Sequence, residues 1–146
     1  GDTEVILAAW QRWGPDCLAR LDGMFAFALF DRDKRQLFLA RDRFGVKPLF
    51  LAHLSDGSIA FASELKGLLA HPLLRRRVNP QAIEAYMTWG YVPETHSILA
   101  GVEKLPAGHF WLLEQGKTPG RPQRWWDIDF TSREKGSEAD LSAKLV

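Results

Sequence analysis

Residues 36–51, QLFLARDRFGVKPLFL, constrain the fold more than any other part of the sequence. Two apolar arms flank a polar centre that contains one glycine and one proline. Arms of this composition predict buried strands, and the centre predicts an irregular hairpin loop. Gly45 can adopt the positive φ that such a loop needs, and Pro48 fixes the backbone where the second arm begins. Asp42 is expected to accept hydrogen bonds from loop amides.

From residue chemistry alone, the favoured interpretation of this segment is an ordinary hairpin with its charges in solvent. Neighbouring apolar segments extend the pattern, and short polar turns separate them, which predicts an antiparallel meander. The first of these segments, GMFAFALFD, is expected to be buried on both faces. The predicted strands cover residues 23–31, 37–40, 49–53, 58–63 and, later in the chain, 108–113.

Helices are expected on both sides of the meander. Asp2 or Thr3 can cap the first helix, which Gly14-Pro15 should end, and a short helix follows at residues 16–21. Another short helix is predicted for residues 64–71, and a longer one should begin at Asn79-Pro80. Its expected buried stripe consists of Ile83, Tyr86 and Met87.

Composition excludes several classes of partner. The chain has 146 residues, is 46% hydrophobic and carries a formal charge of +1. Such a balance gives no support for binding to nucleic acid or to a membrane surface, and the local triplet Arg75–Arg77 is interpreted as a solvated linker. No apolar run approaches transmembrane length. The single cysteine, Cys17, precludes an intramolecular disulfide and fits a cytoplasmic location.

Few residues offer chemistry. None of the four histidines pairs with another histidine or with cysteine at metal-ligand spacing, so no metal site is predicted. Cys17 lies in a short helix beside leucines, where a buried and inert thiol is the expected state. Asp2 leaves two alternatives open, because a carboxylate at a helix start can cap the helix or bind a ligand ammonium group.

Five segments resemble, in order, the glutaminase domain of glutamine-dependent asparagine synthetases. They are GDTEVILAAWQRWGPDCLARLDGMFAFALFD, LFLARDRFGVKPLF, IAFASELKGLL, GYVPETHSILAGVEKLPAGH and RWWDIDF. The Arg-Asp-x-x-Gly-x-x-Pro-Leu pattern is shared with the wider class-II glutamine amidotransferases. The resemblance implies an α+β fold of antiparallel β-sheets packed with helices, part of an Ntn-hydrolase αββα sandwich.

The resemblance also implies where the chemistry lies. The family uses an N-terminal cysteine whose α-amine is the base, an Asn-Gly pair for the oxyanion hole and an upstream arginine for the glutamine carboxylate. The sequence contains none of these at matching positions, so no catalytic residue is expected in it. We therefore expect residues 1–130 to be a partial class-II glutaminase domain, and residues 131–146 to be a linker and the start of a truncated synthetase domain.

Four residues carry over from the family to this sequence. Asp2 matches the aspartate that binds the α-ammonium group of glutamine. Arg41, Asp42 and Gly45 match a loop that is interpreted as structural, bracing the sheet under the glutamine pocket. Half of a two-sheet domain should leave an apolar face uncovered, so association of the isolated chain is expected.

The implied longer protein converts glutamine, aspartate and ATP to asparagine, glutamate, AMP and diphosphate. L-glutamine is then the substrate of this domain, and ATP and Mg²⁺ belong to the missing synthetase domain. The expected partners are the missing N-terminal half-domain and the synthetase domain, with a homodimer left open. Two alternatives remain: a glutaminase-domain fragment of another amidotransferase, and a non-catalytic scaffold module.

Overall fold

The structure, a computed structural model, describes residues 1–94, 96–131 and 136–144. These residues form seven strands, four α-helices and one 3₁₀ helix. The strands are β1 (Ala26–Asp31), β2 (Gln36–Arg41), β3 (Phe50–His53), β4 (Ile59–Ala62), β5 (Val102–Lys104), β6 (His109–Glu114) and β7 (Gln123–Arg124). The helices are α1 (Asp2–Trp13), the 3₁₀ helix (Gly14–Arg20), α2 (Leu65–Leu69), α3 (Pro80–Trp89) and α4 (Glu138–Lys144).

The strands form two antiparallel sheets. The first sheet has the order β1-β2-β6-β7, and the second has the order β4-β3-β5. In the first sheet Leu39 of β2 lies between Ala28 of β1 and Trp111 of β6. In the second sheet Leu51 of β3 lies between Phe61 of β4 and Glu103 of β5.

The predicted hairpin over residues 36–51 is wrong, and so is the single meander. The two arms are the strands β2 and β3, which lie in different sheets. Both edges of β2 are already occupied, by β1 and by β6. The polar centre is therefore a crossover that carries the chain from one sheet to the other.

Alternating side chains on each strand separate three apolar clusters, which define the layers. Phe38 of β2 packs with α1 and the 3₁₀ helix, whereas Leu39 packs with Leu51 of the second sheet. Ala52 of β3 packs on the far side with Leu68 of α2. The layer order is helix, sheet, sheet, helix. The predicted α+β class with antiparallel sheets is thus confirmed, and the assignment to Ntn hydrolases stays a prediction.

Helix α1 is attached to the first sheet through Trp10. Its ring lies 4.6 Å from the Phe38 ring, and its Nε1–H donates to the Asp31 carboxylate at 3.0 Å. The predicted end at Gly14 is confirmed, since α1 stops at Trp13. The N-cap is Gly1, not Asp2 or Thr3 as predicted. The α-ammonium group of Gly1 donates to the Glu4 carboxylate at 2.6 Å, and its carbonyl accepts from the Glu4 amide.

Helix α3 begins where the sequence predicts, but the side of the helix that was predicted to be buried is exposed. Asn79 is its N-cap, with the side-chain oxygen accepting from the Gln81 amide at 3.1 Å. The expected stripe is not buried, because Ile83, Tyr86 and Met87 are 42, 51 and 78% exposed. Small Ala82 is buried in their place. The spacing of apolar residues along a helix predicts which side is apolar, but it does not show whether another element covers that side.

Two further boundaries differ from the predictions. On β1, an edge strand, Leu29 is buried in the cluster with α1, whereas Ala28 and Phe30 are exposed on the other face, so the predicted burial on both faces is wrong. Residues 131–146, predicted as a linker and the start of a further domain, lie partly outside the described residues, and α4 occupies Glu138–Lys144 within them. None of the described helices has the length and apolar character needed to cross a bilayer.

We expect Gly108→Ala to destabilise the chain more than Gly116→Ala. Both glycines have positive φ, 64° and 80°, so alanine at either position costs about 1–2 kcal/mol from backbone strain. At Gly108 a Cβ atom would also lie 2.6 Å from the carbonyl oxygen of Trp126, whereas at Gly116 it would meet nothing within 4 Å. Urea unfolding of the two variants measures the difference, and equal losses of stability would contradict the close packing at Gly108.

Candidate functional site

Asp2 lies at the rim of a pocket of about 200 Å³ between the start of α1 and the segment that leads into β1. Its carboxylate has no hydrogen-bond or ion-pair partner among the described residues. Most of the lining is apolar, with one further carboxylate from Asp22. The complete lining is Asp2, Val5, Ile6, Leu21, Asp22, Met24 and Phe25.

The Asp2 carboxylate is exposed. An ion pair with a ligand would be weakened by solvent at this position unless another surface covers the pocket. The side chain is not used as a helix cap, because the N-cap is Gly1. Of the two alternatives that the sequence leaves open, the structure therefore removes capping and leaves the carboxylate available for a ligand.

The crossover after β2 is built around the buried carboxylate of Asp42. Its Oδ1 accepts hydrogen bonds from the amides of Phe44 and Val46 at 3.1 and 3.0 Å, and its Oδ2 accepts one from Lys47 at 3.0 Å. The prediction that Asp42 organises loop amides is confirmed. The prediction that the loop charges face solvent is wrong for Arg41 and Asp42, which are both buried, and holds for the exposed Lys47.

Burial alone would raise the pKa of Asp42. The backbone hydrogen bonds from Lys47, Val46 and Phe44 outweigh burial, and the pKa of the carboxyl is lowered from its ordinary value of 3.8. The charged form is therefore the one that the loop stabilises.

Arg41 connects three segments through its guanidinium group. Nε donates to the Lys47 carbonyl at 2.7 Å, and Nη2 donates to the Gly45 carbonyl at 2.5 Å. Nη1 donates to the Leu105 carbonyl at 2.7 Å and also to the Glu94 carboxylate. A buried guanidinium with this many acceptors holds the crossover, the end of β5 and the segment after α3 in one arrangement.

Gly45 allows this arrangement because it has no side chain. Its φ is 64°, as the sequence predicts for a loop glycine. A Cβ atom there would lie 2.9 Å from the Arg41 guanidinium carbon and 3.1 Å from Cβ of Ala107. Any larger residue would push the guanidinium away from its carbonyl acceptors.

The crossover is bonded to the wall of the Asp2 pocket. The Asp42 amide donates to the Phe25 carbonyl at 2.8 Å. Arg43 Nη1 donates to the Leu21 carbonyl at 2.8 Å and to Asp22 at 3.2 Å. Sequence reasoning missed Arg43, which lies inside the recognised motif, and Glu94, for which the sequence holds no signal. Arg41, Asp42 and Gly45 thus belong to the crossover, which is bonded to the pocket wall through Asp42 and Arg43. Among the described contacts, none joins them to Asp2.

Cys17 has the inert environment that its sequence context predicts. It is fully buried, and the pKa of its thiol is raised by burial first and by the Asp16 charge second. A neutral, enclosed thiol is a poor nucleophile. Within the described residues, no three His, Cys, Asp or Glu side chains lie close enough to hold a metal ion.

We expect Asp42→Asn to destabilise the chain by about 2–3 kcal/mol near neutral pH. Asparagine keeps one acceptor oxygen, but its NH₂ group would replace the other. That group is a donor and would face a loop amide, which is also a donor. Because the pKa of Asp42 is lowered on folding, its contribution is complete above the unfolded value near 3.8 and is lost as pH falls through the folded value. The stability gap between parent and variant should therefore narrow in acid.

Urea unfolding of both proteins across the acid range measures this gap. Asp33→Asn, an exposed turn carboxylate, is the matched control and should change stability little. A gap that stayed constant down to about pH 2 would show that the Asp42 charge does not stabilise the loop.

The sequence of the chain matches a known protein family. The family described as "Glutamine amidotransferase domain" matches residues 1–126. The chain is 36% identical over 129 residues to a putative glutamine-hydrolyzing asparagine synthetase 2 of Methanocaldococcus jannaschii, covering 87% of this chain and 25% of that protein. It is 46% identical over 113 residues to a putative asparagine synthetase of Mycobacterium tuberculosis, covering 75% of this chain and 17% of that protein.

A third relative, the glutamine-hydrolyzing asparagine synthetase 3 of Bacillus subtilis, is 36% identical over 130 residues, which cover 88% of this chain and 20% of that protein. The chain therefore spans a quarter or less of the length of these relatives. Since the family match extends over most of the sequence, the chain belongs to the glutamine amidotransferase domain family.

Proposed function

We propose that the chain is part of the ammonia-releasing glutaminase domain of a glutamine-hydrolysing asparagine synthetase. The observation that carries the proposal is the bonded connection between the motif loop and the pocket of Asp2, through Phe25, Leu21 and Asp22. The family match and the names of the relatives support it.

In this proposal Asp2 binds the α-ammonium group of L-glutamine. A carboxylate without a protein partner can form a charge-assisted hydrogen bond with that group. The apolar lining from Val5, Ile6 and Phe25 suits the methylene groups of the substrate side chain. Arg41, Asp42 and Gly45 do not contact the substrate in this proposal; they stabilise the crossover that holds the pocket wall.

The nucleophile of the reaction lies outside the described residues. Amide hydrolysis through a thioester intermediate needs an accessible thiol that can ionise, and Cys17 is buried with a raised pKa. The missing N-terminal half-domain would supply the nucleophile and cover the exposed Asp2. Covering the pocket would also remove the solvent that weakens an ion pair there.

The rest of the proposed protein uses the ammonia. A synthetase domain would bind ATP and Mg²⁺, activate aspartate and transfer ammonia to it. In this proposal both ATP and Mg²⁺ are assigned to the synthetase domain. We place the protein in the cytoplasm, because the one cysteine of this sequence is a buried free thiol.

The purified chain should release no ammonia from glutamine above the buffer background. This follows from the buried state of Cys17, which leaves the chain without an accessible thiolate. A coupled glutamate dehydrogenase assay measures the ammonia, with Cys17→Ala as the control. Release that depends on Cys17 would overturn the assignment of the nucleophile to other residues.

In the complete synthetase, Asp2→Asn should raise KM for glutamine at least about tenfold, the loss expected for one hydrogen bond to a charged group. Synthesis from added ammonia should be unchanged, because that route does not use the glutamine pocket. Glu4→Gln is the matched control: Glu4 lies on the same first turn of α1 as Asp2 but does not line the pocket. An unchanged KM in the Asp2 variant would remove Asp2 from the substrate site.

A further inference from the structure

Trp125, which directly follows β7, contacts two residues that hold the wall of the Asp2 pocket but does not line the pocket itself. Its ring stacks on the ring of Phe25, with 6.1 Å between the centroids and 20° between the planes. Phe25 lines the pocket, and its carbonyl accepts a hydrogen bond from the Asp42 amide at 2.8 Å. Trp125 is therefore one contact away from the pocket.

A second contact joins Trp125 to Arg43. The guanidinium carbon of Arg43 lies 5.4 Å from the centroid of the Trp125 ring, within the range of a cation–π interaction. The same guanidinium group donates to the Leu21 carbonyl at 2.8 Å and to the Asp22 carboxylate at 3.2 Å, and both of these residues line the pocket. The tryptophan ring thus restricts the position of the Arg43 side chain, which in turn holds the wall at Leu21.

Hydrogen bonds and packing fix the Trp125 ring in turn. Its Nε1–H donates to the Arg41 carbonyl at 3.2 Å, and its backbone amide donates to the Gly108 carbonyl at 2.9 Å. The ring also packs against the apolar cluster that contains Phe38 and Leu18. Because a tryptophan side chain has only two rotatable bonds, these contacts make its ring a rigid support for the residues that lie against it.

We propose that Trp125 is a positioning residue of the glutamine pocket, which holds Phe25 and Arg43 and, through them, the wall formed by residues 21–25. This inference rests on the proposed function, because it takes the ligand of the pocket to be glutamine. An aromatic contact of this kind shifts the equilibrium between an aligned and a displaced wall by about three- to tenfold, and glutamine binding should weaken by the same factor when the ring is removed.

Steady-state kinetics of the complete synthetase test the inference. Trp125→Leu should raise KM for glutamine about three- to tenfold and leave kcat and synthesis from added ammonia unchanged, because the ring acts on substrate binding only. Trp125→Met fills more of the same space without a ring and should give the same increase, so the result does not depend on the folding of one variant. Trp125→Phe keeps a ring beside Phe25 and Arg43 and should restore most of the loss.

Trp126→Leu is the matched control, because the neighbouring Trp126 ring packs on the Phe44 ring at 5.0 Å and no described contact joins it to the pocket wall. This variant should leave KM for glutamine unchanged. A Trp125→Phe variant as impaired as Trp125→Leu would show that the ring contacts do not hold the wall. A Trp125→Leu variant that loses synthesis from ammonia together with synthesis from glutamine, with Trp125→Met unchanged, would equally overturn the inference.

Amide hydrogen exchange of the 146-residue chain measures the same support without glutamine. Trp125→Leu should speed exchange in residues 21–25, because a wall without its support opens locally more often, whereas Trp126→Leu should not. Exchange that is unchanged in Trp125→Leu, or raised as much in Trp126→Leu, would overturn the inference.

The inference on Trp125 and the proposed function fail in different ways. If Asp2→Asn raises KM for glutamine and the Trp125 variants do not, the inference is wrong and the proposed function stands. If Asp2→Asn leaves KM unchanged, the proposed function is wrong, and exchange at residues 21–25 still decides whether Trp125 holds the wall.

Discussion

The buried charges of Arg41 and Asp42 are the constraint on which the rest of the structure depends. Removing two charges from water is costly unless each one is fully hydrogen-bonded. Asp42 meets this condition with three loop amides. Arg41 meets it with the Gly45 and Lys47 carbonyls of its own loop, the distant Leu105 carbonyl and the Glu94 carboxylate. These hydrogen bonds therefore stabilise one conformation of the crossover over others. The separation of the two sheets and the wall of the Asp2 pocket both follow from it.

The sequence predicts the local elements well and their partners poorly. Apolar runs and turn residues indicate the strands and the start of α3 at Asn79, because these signals act over a few residues. They do not show that β2 pairs with β6, whose residues lie about seventy positions away. The same limit explains α3, whose apolar period predicts an apolar side but not its burial. Neighbours in space, not in sequence, decide both questions.

The candidate site also contains residues that the sequence predicts and residues that it does not. Asp2 and the motif loop are recognisable through family resemblance, and the amide contacts of Asp42 follow from the chemistry of aspartate in loops. The burial of Arg41 does not, because an arginine between a strand and a turn is usually solvated. Glu94 gives no signal at all. Arg43 could be found only by asking which loop residue reaches the pocket wall at Leu21.

The acceptors around Arg41 also set an order of folding. The Leu105 carbonyl lies 64 residues from Arg41, and the Trp125 indole that donates to the Arg41 carbonyl at 3.2 Å lies 84 residues away. During synthesis the bond from the guanidinium to the Leu105 carbonyl cannot form until residue 105 has left the ribosome, and β2 has no β6 to pair with before then. Such long-range closure is slow compared with the formation of hairpins. The nascent chain thus has a prolonged period in which its first sheet can pair with another molecule.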